Sequence, residues 1–279
     1  MMIHYPIPRR VRQGAGAVWL GLSACHRLWR RVRAWRSRGS SGHVLVVGSL
    51  RAGGSGKTDW VDWLAARDPA RAILVHPTGD EDSWLASRHP GRVFRDRSFP
   101  RAWDRARRAG FAKAVCDGGL QDPALDGGPS VLLGPAEVAW EDLHPFGPFR
   151  QRRPSRSVDL HLAEGDGWSW RCELDLPPGT EVLLGASVAR TEIVVDGLRS
   201  SGMSVEAVLP TRDHAPFRPD LVRALESRHP GATWVVTAKD AARGEIARLR
   251  PPVAILRRTL EVSAPLASRL DALLGLRAT

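Results

Sequence analysis

Cysteine is scarce in this chain: Cys25, Cys116 and Cys172 are odd in number and form no C-x-x-C pair. That excludes a disulfide framework and a paired-cysteine zinc site, and it fits a reducing compartment. Lysine is almost absent, since only Lys57, Lys113 and Lys239 stand among 41 basic residues. Each either marks a place where a compact ammonium is needed or reflects drift in an arginine-rich chain. Acidic residues are missing before Asp59, while the first 58 residues hold 11 basic ones, nine of them Arg between Arg9 and Arg38. From Asp59 onward 30 basic residues meet 30 acidic ones, so the whole net charge of +11 sits at the N-terminus. This argues against nucleic acid as a partner and for one basic element facing something anionic. No apolar run reaches the ~20 residues of a membrane-spanning helix. The guanine-reading N-K-x-D motif, internal repeats and low-complexity tracts beyond a Ser/Gly linker at Gly39 to Gly42 are also missing.

What is present is a 43% apolar chain of 279 residues, enough for a globular core and for about two domains. Residues 14–36 run from a short apolar stretch into an amphipathic helix. Val18, Leu22, Cys25, Leu28, Trp29, Val32 and Trp35 recur at helical spacing among five arginines. Such a helix suits the headgroup layer of a membrane, with indole rings at the boundary and guanidinium groups on phosphates. The alternative is a basic helix packed on the protein's own core. Leu22-Ser23-Ala24-Cys25 imitates a lipoprotein cleavage site, but export would carry a nucleotide-binding loop away from its nucleotide, so that reading is set aside.

The loop in question is Gly53-Gly54-Ser55-Gly56-Lys57-Thr58. It follows the buried-strand pattern Val44 to Val47 and opens a helix over 57–67. Strand, glycine loop and helix together let consecutive backbone amides and a helix N-terminus face phosphate oxygens. Lys57 would reach the β- and γ-phosphates of ATP, and the Thr58 hydroxyl would bind Mg2+. The strict G-x-x-x-x-G-K-[ST] pattern fails at its first position, where Arg51 stands.

Other residues are ambiguous one at a time. Asp117 ends an apolar run from Phe111, where a phosphate-loop fold places a metal-orienting carboxylate, but it also fits a turn before Gly118-Gly119. Asp80 reads as a helix N-cap, and His214 as a loop histidine. Lys239, after the strand Trp234 to Thr237, fits either a phosphate contact or a salt bridge to Asp240 or another carboxylate. Arg150, with Arg152 and Arg153, would bind a substrate phosphate or stay solvated.

Taken in order, these segments resemble the tetraacyldisaccharide 4'-kinase family, the lipid A 4'-kinases of Gram-negative bacteria. The family's V-G-N-x-x-x-G-G-T-G-K-T-P is matched by Val47-Gly48-Ser49 and Gly53 through Thr58. Its G-D-E-P resembles Gly79-Asp80-Glu81-Asp82, and its D-D-G-[LF]-Q-H resembles Asp117 through Asp122. Its G-P-L-R-E is similar to Gly147-Pro148-Phe149-Arg150-Gln151, its D-H-H to Asp213-His214-Ala215, and its T-E-K-D to Thr237-Ala238-Lys239-Asp240. The family's R-G-Y-G-R stretch is missing, and Gly118, Ala215 and Ala238 replace family residues, as in a shortened and divergent member.

The resemblance implies transfer of the γ-phosphate of ATP to the 4'-hydroxyl of a tetraacyldisaccharide 1-phosphate, an anionic lipid, with Mg2+. The site would be at the cytoplasmic face of the inner membrane, held there by the N-terminal helix, with no obligate protein partner. It also implies an Asp80–His214 pair as general base, a carboxylate-oriented imidazole being a sound proton acceptor near neutral pH. Lys57 then assists transfer, Lys239 joins the nucleotide site, and Asp117 with Thr58 holds the metal. Arg150 and Glu81 are the candidate substrate contacts, Glu81 being also the rival carboxylate for the base.

The expected fold is α/β: a P-loop NTPase-like parallel sheet with helical crossovers, then a second, smaller α/β lobe reached through a β-hairpin. The boundaries read as a basic helix and linker over 1–42, a nucleotide-binding lobe over 43–155, a hairpin over 156–181 and a C-terminal lobe over 182–279. The Gly165-Asp166-Gly167 turn between two alternating segments carries the hairpin expectation. Two other classes stay open: a different phosphate-loop ATPase, and a non-catalytic relative that keeps nucleotide or lipid binding.

Overall fold

A computed structural model describes residues 43–276 apart from Ala52, Asp126, residues 140–141 and 144–148, Ser155 and Glu164. The proposed basic helix, Cys25, Gly147 and Pro148 lie outside the described residues. Among those described, no helix is long and apolar enough to cross a membrane.

The first sheet has six parallel strands in the order β3-β2-β4-β1-β5-β6. They are β1 (Val44–Ser49), β2 (Arg71–Val75), β3 (Val93–Arg95), β4 (Lys113–Asp117), β5 (Ser130–Leu133) and β6 (Leu160–Leu162). Every residue of β1 and β2 is buried, as continuous β-branched and apolar runs require when helices cover both faces. The crossovers carry α1 (Lys57–Arg67), α2 (Glu81–Arg88) and α3 (Phe99–Arg108). Because β4 lies beside β1 with Asp117 opposite Val47, the loop after β1 and the carboxylate ending β4 emerge side by side.

The second sheet has five strands in the order β7-β11-β10-β8-β9. These are β7 (Trp168–Glu173), β8 (Glu181–Gly185), β9 (Ser204–Val208), β10 (Thr233–Thr237) and β11 (Val253–Val262). All neighbours are parallel except β7, which runs antiparallel to β11. Four helices accompany them: α4 (Thr191–Ser200), α5 (Pro219–Arg228), α6 (Ala238–Ala242) and α7 (Ala264–Leu274). α7 returns to the first sheet, where Leu266, Leu270 and Leu274 join one core cluster with Leu45, Val47, Ile73 and Trp60.

The hairpin expectation fails. The Gly165-Asp166-Gly167 turn forms, with the Asp166 carboxylate accepting from the Ala163 amide at 2.7 Å. Its two flanks part company: β6 adds to β5 in the first sheet, and β7 pairs with β11 in the second. Alternating residues fit a half-buried strand beside any neighbour, so the pattern could not choose the partner. The three-residue β3 and five-residue α6 are additions that sequence periodicity is too short to detect. The remaining expected strands and helices form within a few residues of their read positions.

Candidate active site

A cleft of about 530 Å³ opens where the C-terminal ends of both parallel arrays meet. Gly53, Gly54, Ser55, Gly56, Lys57, Thr58, Asp80, Glu81, Asp117, Arg150, His214 and Lys239 all line it. The sequence scattered these candidates over nearly the whole described chain, and the fold gathers them in one place.

The glycine loop needs its glycines at two points. Gly54 and Gly56 are left-handed (φ 62° and 75°), and Gly56 caps the N-terminus of α1. Lys57 begins that helix and its Nζ donates to Ser55 Oγ at 3.0 Å, which holds the ammonium over the loop. Thr58 is buried and its hydroxyl donates to Glu81 Oε1 at 2.9 Å.

Asp117, at the end of β4, is buried, and its Oδ2 has no hydrogen-bond partner. Burial first, and the neighbouring Glu81 charge second, push its carboxyl up to about 6, against the pull of Lys57 and Lys239. A hydroxyl and two carboxylates, one of them with an orphaned oxygen, form the hard-oxygen donor set that suits Mg2+. Among the described residues no group of three His, Cys, Asp or Glu side chains is placed to hold a metal ion.

Asp80 and His214 come from opposite sheets. Asp80 occupies the N-cap position of α2 but its side chain caps nothing there. Its Oδ2 accepts instead from His214 Nδ1 at 2.7 Å, 134 residues away in sequence. Burial alone would raise the Asp80 carboxyl, but the His214 hydrogen bond, the Glu81 amide and the His214 and Lys239 charges outweigh it and hold it low. The same hydrogen bond is the main cause raising the imidazole, ahead of the opposing burial.

His214 is the one non-glycine residue with positive φ among those described, at 59°. Its amide donates to the Ser187 carbonyl at 3.2 Å, while the Ser187 hydroxyl and Arg243 fix the next carbonyl, Ala215, at 2.6 and 2.8 Å. The surrounding bonds thus pin an uncommon backbone conformation that aims the ring into the cleft. Asp213 flanks the other ring nitrogen, its Oδ2 lying 3.6 Å from Nε2.

Lys239 pairs with Glu81 at 3.4 Å rather than with Asp240. Burial would lower its ammonium, but Asp59, Glu81 and Asp117 together raise it. Glu81, read as a substrate contact, lies instead between Thr58 and Lys239. Arg150 also lines the cleft, with Arg97, His76 and Gln121, whereas Arg152 and Arg153 are bound to Glu137 and are not among the lining residues. Sequence reasoning gave no role to Asp213, although the D-H-H match contained it, nor to Arg97 and Arg258, which carried no signal.

Comparison with known proteins places this geometry among relatives. Residues 67–275 match the family model described as LpxK, tetraacyldisaccharide-1-P 4'-kinase. The tetraacyldisaccharide 4'-kinase of Gluconacetobacter diazotrophicus is 32% identical over 251 residues, covering 72% of this chain and 75% of its own. That of a Bradyrhizobium species is 27% identical over 284 residues, covering 81% of each. The crystal structure of LpxK from Aquifex aeolicus in complex with ATP shares the fold, with a TM-score of 0.61 at 16% identity over 94% of this chain and 98% of that one.

Proposed function

The chain belongs to the tetraacyldisaccharide-1-P 4'-kinase family, and on that premise we propose that its cleft moves the γ-phosphate of ATP to the 4'-hydroxyl of a tetraacyldisaccharide 1-phosphate in lipid A biosynthesis. The single observation that carries the reading is the Asp80–His214 pair held at 2.7 Å across the same cleft as the glycine loop. Donor cradle and proton acceptor face each other, the arrangement that phosphoryl transfer to an alcohol needs.

In this reading the amides of Gly53 to Lys57 and the N-terminus of α1 hold the phosphates, and Lys57 neutralises charge on the transferred group. Thr58, Glu81 and Asp117 would hold Mg2+, which supplies charge neutralisation between the phosphates when bound. Asp80 fixes the His214 tautomer so that Nε2 is free to accept the hydroxyl proton, and it then stabilises the imidazolium. Lys239 reaches from the second sheet to balance the carboxylates, and Arg150 meets the acceptor's own phosphate. The basic N-terminal helix would seat the cleft at the cytoplasmic face of the inner membrane, where the lipid acceptor lies. Retention of the dyad favours an active kinase over a non-catalytic relative, despite Gly118, Ala215 and Ala238.

The test is transfer of labelled γ-phosphate from ATP to a tetraacylated disaccharide 1-phosphate. A labelled bisphosphorylated product is expected from the intact chain and none from Lys57→Ala. Equal transfer by that variant would end the reading.

A further inference from the structure

The loop that cradles phosphate contains three glycines in four positions, Gly53, Gly54 and Gly56, and such a segment has many conformations to lose on binding. What holds it comes from the second sheet. β7 alternates inward and outward, so Trp168, Trp170 and Cys172 share its inner face. The Trp170 ring occupies the space that a Cβ on Gly56 would need: Cζ2 would lie 2.6 Å and Cη2 3.2 Å from it. Gly56 is therefore glycine for two reasons, its left-handed φ and the ring against it.

Trp170 is itself braced. The Arg258 guanidinium stacks on its ring at 3.9 Å and donates to Asp59 Oδ2 at 2.5 Å, which ties the ring to the first turn of α1. Trp170 meets Trp168 edge-on at 5.6 Å, Trp168 meets Trp60 of α1 at 5.6 Å, and Trp60 meets Trp63 at 5.9 Å. At the far end of the helix Arg67 Nε donates to Asp271 of α7 at 2.7 Å. The helix that begins with Lys57 is thus gripped along its length by β7, β11 and α7.

We propose that Trp170, braced by Arg258, is a positioning residue for the phosphate loop: it wedges Gly56 in its left-handed conformation and so sets nucleotide affinity from the second sheet. This rests on the reading of that loop as the ATP site. Trp170 is not among the residues that line the cleft, so it acts through Gly56 and the helix start. Without it the loop spends less time in the binding-competent form, and apparent affinity falls by that fraction while the transfer step, once ATP is seated, is preserved.

The experiment measures Kd for a non-hydrolysable ATP analogue with Mg2+, together with KM for ATP, kcat and melting temperature, in the full chain. Trp170→Ala is expected to weaken binding and raise KM by about tenfold, with kcat within about threefold. Trp170→Phe, which keeps a ring against Gly56, should restore both to within about threefold of the intact chain. If Trp170→Ala does not fold, Trp170→Leu takes its place with the same expected outcome. A lower melting temperature with unchanged Kd and KM would overturn the proposal, as would a kcat loss that Phe does not rescue. Failure of the intact chain to bind the analogue would overturn the loop reading and the proposal together, and so is told apart from failure of the wedge alone.

Discussion

Replacing Asp80 by Asn keeps the shape of the side chain and removes its charge. Asp80 is only 3% exposed and accepts from His214 Nδ1 at 2.7 Å, so water has little access to replace the lost interaction. An amide in that position no longer selects the tautomer with Nε2 free and no longer stabilises the imidazolium formed during transfer. General-base catalysis is worth about 10²–10⁴-fold, so kcat should fall by about 10²–10³-fold, or roughly 3–4 kcal/mol at about 1.4 kcal/mol per decade. KM for ATP should stay within about threefold, because nucleotide binding lies with the loop.

The pH profile gives an independent check. The Asp80 hydrogen bond is the main cause that lifts the imidazole above its ordinary range. The base must be neutral, so kcat of the intact enzyme falls as pH drops through that raised value. In Asp80→Asn the falling limb should move to lower pH while the plateau drops. Stability follows the same sign: a raised imidazole contributes most below its unfolded value and loses its contribution as pH rises through the folded one. The melting-temperature gap between intact and Asn chains should therefore be wider at about pH 5.5 than at about pH 8.5. The double variant with His214→Ala should be little worse than the poorer single one, since the pair acts as a unit. A plateau within a few-fold of the intact enzyme, with the limb unmoved, would refute the dyad.

Other outcomes follow from the same geometry. Lys57→Ala should lose nearly all transfer while retaining its far-ultraviolet circular dichroism, because the ammonium's recorded partner is the Ser55 hydroxyl of the loop itself. Asp117→Asn should abolish transfer yet raise the melting temperature of the metal-free chain above about pH 6: the native carboxyl is raised, so folding stability falls as pH climbs from the unfolded value to the folded one, and the amide escapes that loss. Deleting residues 1–38 should release the chain from sedimenting vesicles that contain anionic lipid, each arginine contributing about 1 kcal/mol near such a surface and less in high salt. Equal pelleting would show that the helix is not the anchor.

The legible parts of this protein were those encoded locally. Val44 to Val47, the glycine loop and Lys57 to Arg67 form one contiguous strand-loop-helix, so spacing alone placed them. Asp80 and His214 were individually an ordinary cap and an ordinary loop histidine, and only the order of motifs along the chain joined them. Nothing in residues 160–173 stated which sheet each strand would enter, because the pairing partners, β5 upstream for β6 and β11 downstream for β7, are remote in sequence. Arg258 is a surface-like arginine in sequence, and its stacking on Trp170 follows from register with β7.

The return of α7 to the first sheet bears on how the protein is made. Leu266, Leu270 and Leu274 are translated well after Leu45, Val47 and Ile73, yet they share one apolar core cluster with them. A nascent chain with β1 through β6 already translated would hold that face uncovered until α7 follows. At about 5–20 residues per second the wait from β6 to α7 spans roughly 5–20 seconds, long enough for an exposed sheet face to recruit a chaperone or a neighbouring chain. Stop codons or frameshifts in the last dozen described residues would therefore strip apolar cover from the first sheet.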